Sequence, residues 1–108
     1  MEKLRIYRTA LELTKQIYLL IADNRLLKTD FGLSDQLKRA GVSIAANIAE
    51  GYCRTKKQFR SYLQIASGSA NEVVALLQIA DLVHHTNTTS LQQQFQLLHV
   101  NILPPQQK

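Results

Sequence analysis

Gln36–Gly51, QLKRAGVSIAANIAEG, decides the fold. Leu37, Gly41, Ile44 and Ile48 recur at helical spacing, and Ala40, Val42, Ala45, Ala46 and Ala49 fill most of the remaining circumference. One thin polar line survives: Gln36, Arg39, Ser43, Asn47 and Glu50, three or four apart and therefore on one side of a helix. A helix apolar on nearly every side is expected to be surrounded by other helices, from its own chain or from neighbouring subunits. Its small residues suit close approach of backbones, and Gly51 is expected in the left-handed position that ends a helix.

Outward from this segment the pattern stays helical. Towards the N-terminus, Glu2 to about Ala22 carries two adjacent apolar stripes, one of them Leu4, Tyr7, Leu11, Thr14, Tyr18 and Ile21. Asp23 to Gly32 is read as a connector. Beyond Gly51, Thr55 and Gln58 have the spacing of a capping box, which opens a long third helix to about Val83. Its centre, Ala66 to Ala70 (ASGSA), is a second run of small residues, expected to meet the small face of the preceding helix. Asn87, Thr88 or Thr89 is the expected cap of a short fourth helix, stopped at Pro104-Pro105. Short connectors between four helices give an all-α fold, an antiparallel up-down-up-down four-helix bundle over 1–103. The remaining 104–108 are expected to form a disordered tail.

Composition narrows the functional classes. The 108 residues carry 45% hydrophobic and 19% charged side chains, with no Trp, two Pro and four Gly, which suits a helical globular domain. No apolar run approaches the roughly 20 residues of a membrane span, and MEKLRIYR has no secretory apolar region, so no membrane partner is expected. A single Cys53 forms no internal disulfide framework, in keeping with a cytoplasmic setting. The net charge of +5 is uneven: residues 31–60 hold six basic and two acidic side chains, whereas 61–108 hold one and two.

Catalysis finds little support. Arg39, Asn47 and Glu50, with Glu72 on the third helix, form a polar group in small or apolar surroundings, and a glutamate pair beside an amide can do acid–base work. No nucleophile, phosphate loop or ligand spacing accompanies it, so the group is read as a structural network whose members meet one another or a neighbouring subunit. His84, His85 and His99 lack the convergent spacing of a metal site, and Ser67 and Ser69 suit close helix packing better than nucleophilic chemistry. No catalytic residue, metal or cofactor is expected, and the chain is read as no enzyme.

Lys38, Arg54, Lys56, Lys57 and Arg60 are the candidate phosphate-binding residues, with Tyr52 placed to stack on a base. In a monomer such a cluster is an ordinary solvated corner; repeated around a ring it becomes a continuous positive surface.

The run QLKRAGVSIAANIAEG together with the later IASGSANE, Ile65 to Glu72, resembles the four-helix-bundle family encoded by intervening sequences in bacterial large-subunit ribosomal RNA genes. That family includes the accessory protein of diversity-generating retroelements. The resemblance spans about residues 3 to 83 and implies a ring, typically a homopentamer. In the retroelement branch it implies a basic ring that contacts nucleic acid and a reverse transcriptase; in the ribosomal branch it implies no established activity. Relatives usually carry a longer fourth helix than the one expected here. The expected function is therefore a non-enzymatic, oligomeric protein that binds RNA or DNA through a basic surface. The alternative is a ring-shaped scaffold that docks a protein partner such as a reverse transcriptase.

Overall fold

In a computed structural model, residues 2–103 are described, with side chains from Leu4 onward. The expectation for 104–108 lies outside the described residues. The described residues form five helices and no strand: α1 (Glu2–Asp23), α2 (Arg25–Thr29), α3 (Phe31–Gly51), α4 (Lys56–His84) and α5 (Thr89–Ile102). The four long ones make an antiparallel bundle about 43 Å long in which α1 packs on α3, α3 on α4, α4 on α5, and α5 back on α1. The diagonal pairs, α1 with α4 and α3 with α5, stand farther apart. Down the middle run Ala10, Ile17, Leu37, Ile44, Ile48, Val73, Leu77 and Phe95, all essentially removed from water.

Between α1 and α3 the expected connector is itself a turn of helix. Asn24 Oδ1 accepts the Leu27 amide (2.9 Å) to start α2. Asp30 then ends α2 and begins α3, its Oδ1 accepting the Leu33 amide (3.2 Å) and its Oδ2 meeting His84 Nε2 of α4 (2.9 Å). Both contacts favour the ionised carboxylate. The His84 hydrogen bond first, and the Leu33 amide second, hold Asp30 below its ordinary pKa of 3.8.

The α3 helix is less enclosed than its composition suggests. Leu37, Ala40, Gly41, Ile44, Ala45 and Ile48 are buried, but Val42 and Ala46 face water. Close approach does occur at Gly41, where α1 crosses. A Cβ there would sit 2.9 Å from Ile17 Cδ1, and Thr14 Oγ1 donates to the carbonyls of Ala10 (2.7 Å) and Gly41 (3.1 Å). Gly51 does not take the left-handed conformation expected of it; no glycine has positive φ among the described residues. Its role is steric, because a Cβ would stand 2.3 Å from Phe59 Cδ1 and 2.9 Å from Cε1.

The Thr55–Gln58 capping box forms as expected, with Gln58 N donating to Thr55 Oγ1 (3.2 Å) and Thr55 N to Gln58 Oε1 (3.3 Å). At the other end of α4, His85 takes the left-handed conformation (φ 58°). Thr88 stands at the N-cap of α5, yet its own side chain makes no capping bond. Asp81 of α4 supplies it instead, accepting Thr86 Oγ1 (2.6 Å), Thr88 N (3.2 Å), Thr88 Oγ1 (3.0 Å) and Gln92 Nε2 (2.9 Å). Of ASGSA, Ala66 and Ala70 enter the core and Ser69 Oγ meets Ser43 Oγ of α3 (2.9 Å). Gly68, by contrast, points outward with nothing within 4 Å of its Cβ position.

Candidate nucleic-acid interface at the α3–α4 end

Where α3 passes into α4 the chain turns in four residues, Tyr52 to Thr55. Aromatic packing holds the turn. Tyr52 stacks on Phe59 (centroids 5.7 Å apart, planes 23° apart) and meets Tyr7 of α1 in a T-shaped contact (6.5 Å). One face of Tyr52 is thus occupied, and 43% of the residue remains exposed. Partial burial, and secondarily the Tyr7 phenol, push its hydroxyl above the ordinary value, so it is neutral and a hydrogen-bond donor at physiological pH.

The cations at this turn are not equivalent. Arg54 pairs with Glu50 one helical turn back and lies over the Tyr62 ring (5.6 Å), so part of its charge is answered within the chain. Lys56 and Lys57 occupy the first turn of α4 and are exposed, and among the described residues neither ammonium has a partner. Arg60, half-buried, follows one turn later.

Lys38 does not join them. Thirteen residues separate it from Gly51, about 20 Å along α3 at the helical rise of 1.5 Å. Its ammonium sits instead over the Tyr18 ring, 5.2 Å from the centroid. Helical periodicity places it on α3 but carries no distance along the axis to the turn.

Two cations of the first helix, outside the expected set, lie at the same end of the bundle, Arg5 on the side of α1 that faces α5. Because α1 and α3 are antiparallel, Arg5 and Arg8 lie at the end where Tyr7 touches Tyr52. The up-down topology itself is the signal that finds them. The end of the bundle therefore presents Arg5, Arg8, Arg54, Lys56, Lys57 and Arg60, with Glu50 as the nearby carboxylate among described side chains.

The expected polar network does not close within the chain. Arg39 pairs with Asp35 (2.9 Å), both largely exposed; Asn47 Nδ2 donates to the Ser43 carbonyl (2.8 Å) and to Ser43 Oγ (3.0 Å); Glu50 takes Arg54. Glu72 is exposed and joins none of them. Each of the first three finds a partner on its own helix or turn, within four residues, which costs less ordering than a convergence across helices.

Ser67 and His99 form the one arrangement with a hydrolytic look among the described residues, Ser67 Oγ lying 2.8 Å from His99 Nδ1. The same nitrogen lies 2.9 Å from the Ser67 carbonyl, which can only accept. A proton on Nδ1 satisfies that carbonyl, and a protonated nitrogen cannot take the hydroxyl proton. The pair clamps α4 to α5. No cluster of three or more metal-ligating side chains occurs among the described residues, and no described helix is long and apolar enough to cross a membrane. A groove of about 300 Å³ between α1 and α5, lined in part by Arg5, Leu13, Leu97 and Asn101, has no acid–base pair among those side chains.

Three comparisons set this geometry among known proteins. The family model described as 23S rRNA-intervening sequence protein matches residues 2–100. Among solved structures, a protein of unknown function from the S23 ribosomal protein family of Bacteroides thetaiotaomicron is similar, at 24% identity and a TM-score of 0.85. The superposition covers 94% of this chain and 95% of that one, and at this identity it establishes the shared fold. A search of curated proteins finds no match.

Proposed function

The chain belongs to the 23S rRNA-intervening sequence protein family, and from that premise we propose that it is a non-enzymatic, self-associating protein that binds RNA, or another nucleic acid, through the basic end of its bundle. The family resemblance implies a ring of five copies. The observation that carries the reading is the start of α4. Lys56 and Lys57 open that helix, its first turn has no acidic residue, and neither lysine is paired among the described residues. A cation at a helix N-terminus opposes the macrodipole, at a cost of about 0.3–1 kcal/mol each. A phosphate at this position reverses that cost, meeting two ammonium groups and the positive end of the helix together.

Arg54 and Arg60 extend the same positive end, and the exposed part of Tyr52 offers a ring to an unpaired base. Lys38 is outside this surface. Few of these side chains suit base-edge reading, so discrimination between sequences is weak. Repetition around an assembly turns a modest local site into a strong one.

Fluorescence polarisation with structured and single-stranded RNA and DNA, between about 50 and 200 mM salt, tests the reading. Wild type binds with a steep salt dependence. Lys56→Glu with Lys57→Glu weakens binding and flattens the slope of log affinity against log salt by about two, near one for each phosphate no longer neutralised. An unchanged slope in this variant refutes the site. Absence of binding at low salt refutes the nucleic-acid function and favours the protein-docking scaffold, whose complexes would resist nuclease.

A further inference from the structure

Two exposed apolar stripes lie on different sides of the bundle, the Lys38 ammonium resting over one end of the first at Tyr18. On α1, Leu4, Leu11 and Tyr18 recur every seven residues and are 43–47% exposed. On α4, Ile65, Ile79 and Leu82, with Gly68 and Ala75 between them, form a second stripe; its large members are 45–79% exposed. Intervals of four and three along Ile65, Gly68, Glu72, Ala75, Ile79 and Leu82 make it a helix-packing seam about 26 Å long. The two helices are diagonal in the bundle, so the stripes face apart.

Charge tells them apart. The α1 stripe is interleaved with two exposed cations, Arg8 and Lys15, in the order Leu4, Arg8, Leu11, Lys15, Tyr18. From Ser61 to Val83, α4 carries only Glu72 and Asp81, and Asp81 is occupied with Thr86, Thr88 and Gln92. Glu72 is therefore the one outward charge, in the middle of its stripe. Relief differs as well. The α1 stripe bears bulky side chains, while Gly68 leaves open space on the α4 stripe where a large side chain can seat.

We infer that a second copy of this chain lays its α1 stripe on the α4 stripe of the first, in a head-to-tail contact with Arg8 and Lys15 beside Glu72. Twofold pairings are disfavoured by the same charges. Packing α4 on α4, parallel or antiparallel, brings the two Glu72 carboxylates together at the centre of the seam. Packing α1 on α1 sets Arg8 against Arg8 or against Lys15. Only the unlike pairing joins opposite charges, and it covers both apolar stripes of every copy at once. A contact of this kind closes into a ring or continues into a filament, according to the rotation between neighbours.

The inference rests on the self-association in the proposed function and assigns the faces that carry it. Light scattering on a sizing column, with helicity followed by circular dichroism, measures wild type, Glu72→Lys, Arg8→Glu with Lys15→Glu, and all three changes in one chain. The first two variants stay helical and dissociate at concentrations at least about tenfold above wild type, the low end for close interfacial charge pairs. The triple variant, with its charges exchanged, regains the wild-type mass. Independently, in a Cys53→Ser background, a bismaleimide joins Leu11→Cys copies to Gly68→Cys copies in a mixture and joins neither to itself. A wild type that associates while indifferent to these charges overturns the inference alone. Cross-linking of Gly68→Cys copies to one another also overturns it, in favour of a twofold contact. A monomeric wild type overturns both the inference and the self-association beneath it.

Discussion

Replacing Gly51 by alanine tests the account of the α3–α4 turn most directly. In an open mid-helix position the change is favourable by about 1 kcal/mol, since alanine is the better helix former. Here the new methyl stands 2.3 Å from Phe59 Cδ1, 2.9 Å from Cε1 and 3.3 Å from Tyr62 Cβ. The Phe59 ring cannot simply swing away, because it stacks on Tyr52, which in turn meets Tyr7. Forcing a methyl into a packed core costs about 1–3 kcal/mol, and a ring pinned by its neighbours puts this collision in the upper part of that range, about 2–3, so the net loss is about 1–2 kcal/mol after the propensity gain. That lowers the melting temperature by about 4–16 °C in a domain of this size.

Two other glycines calibrate the measurement. At Gly41 the clash is 2.9 Å with the far end of the Ile17 side chain, which can rotate, so Gly41→Ala is close to neutral. At Gly68 nothing lies within 4 Å, so Gly68→Ala gains the propensity term. Thermal melts followed by circular dichroism at one fixed protein concentration give the order Gly68→Ala, Gly41→Ala, Gly51→Ala, from most to least stable. In a Phe59→Leu background the penalty of Gly51→Ala shrinks, because the ring that collides is gone. A Gly51→Ala protein as stable as wild type, or a penalty unchanged without the Phe59 ring, refutes the steric reasoning.

Asp81→Ala removes the acceptor shared by Thr86, Thr88 and Gln92 at the start of α5, costing about 2–3 kcal/mol; hydrogen exchange in the first turn of α5 accelerates ahead of the rest. Asp30 has a depressed pKa when folded, so its stabilising contribution is complete above its ordinary value of 3.8 and is lost as pH falls through the lower folded value. Melts from about pH 2 to 7 accordingly show a steeper acid decline for wild type than for Asp30→Asn, which lacks that contribution throughout.

The long helices are legible in the sequence because their stripes repeat over several turns, and the Thr55–Gln58 box is legible because its spacing has a single local meaning. Other features depend on neighbours that periodicity does not name. Gly51 reads as a helix terminator, and only the Phe59 ring against it reveals the steric role. Thr88 reads as a self-sufficient cap, yet the carboxylate that holds it lies seven residues back on another helix. The five-residue α2 is too short to show a period and rests on its caps, Asn24 and Asp30. At the candidate site, Lys56, Lys57 and Arg54 stand out because they adjoin in sequence. Lys38 is wrongly grouped with them and Arg5 and Arg8 escape notice, since only the antiparallel arrangement says which helix ends coincide.

The order in which the helices pack has a kinetic consequence. Each contact round the bundle joins consecutive long helices, except the last, α1 with α5, which spans nearly the whole chain. Loop-closure entropy is therefore small for three of the four contacts, placing the protein among helical bundles that fold in about microseconds to milliseconds. During synthesis α1, α3 and α4 can pair in succession as they emerge, while the side that α5 will cover stays open. Phe95, Leu98 and Ile102 arrive last, and their docking seals the core.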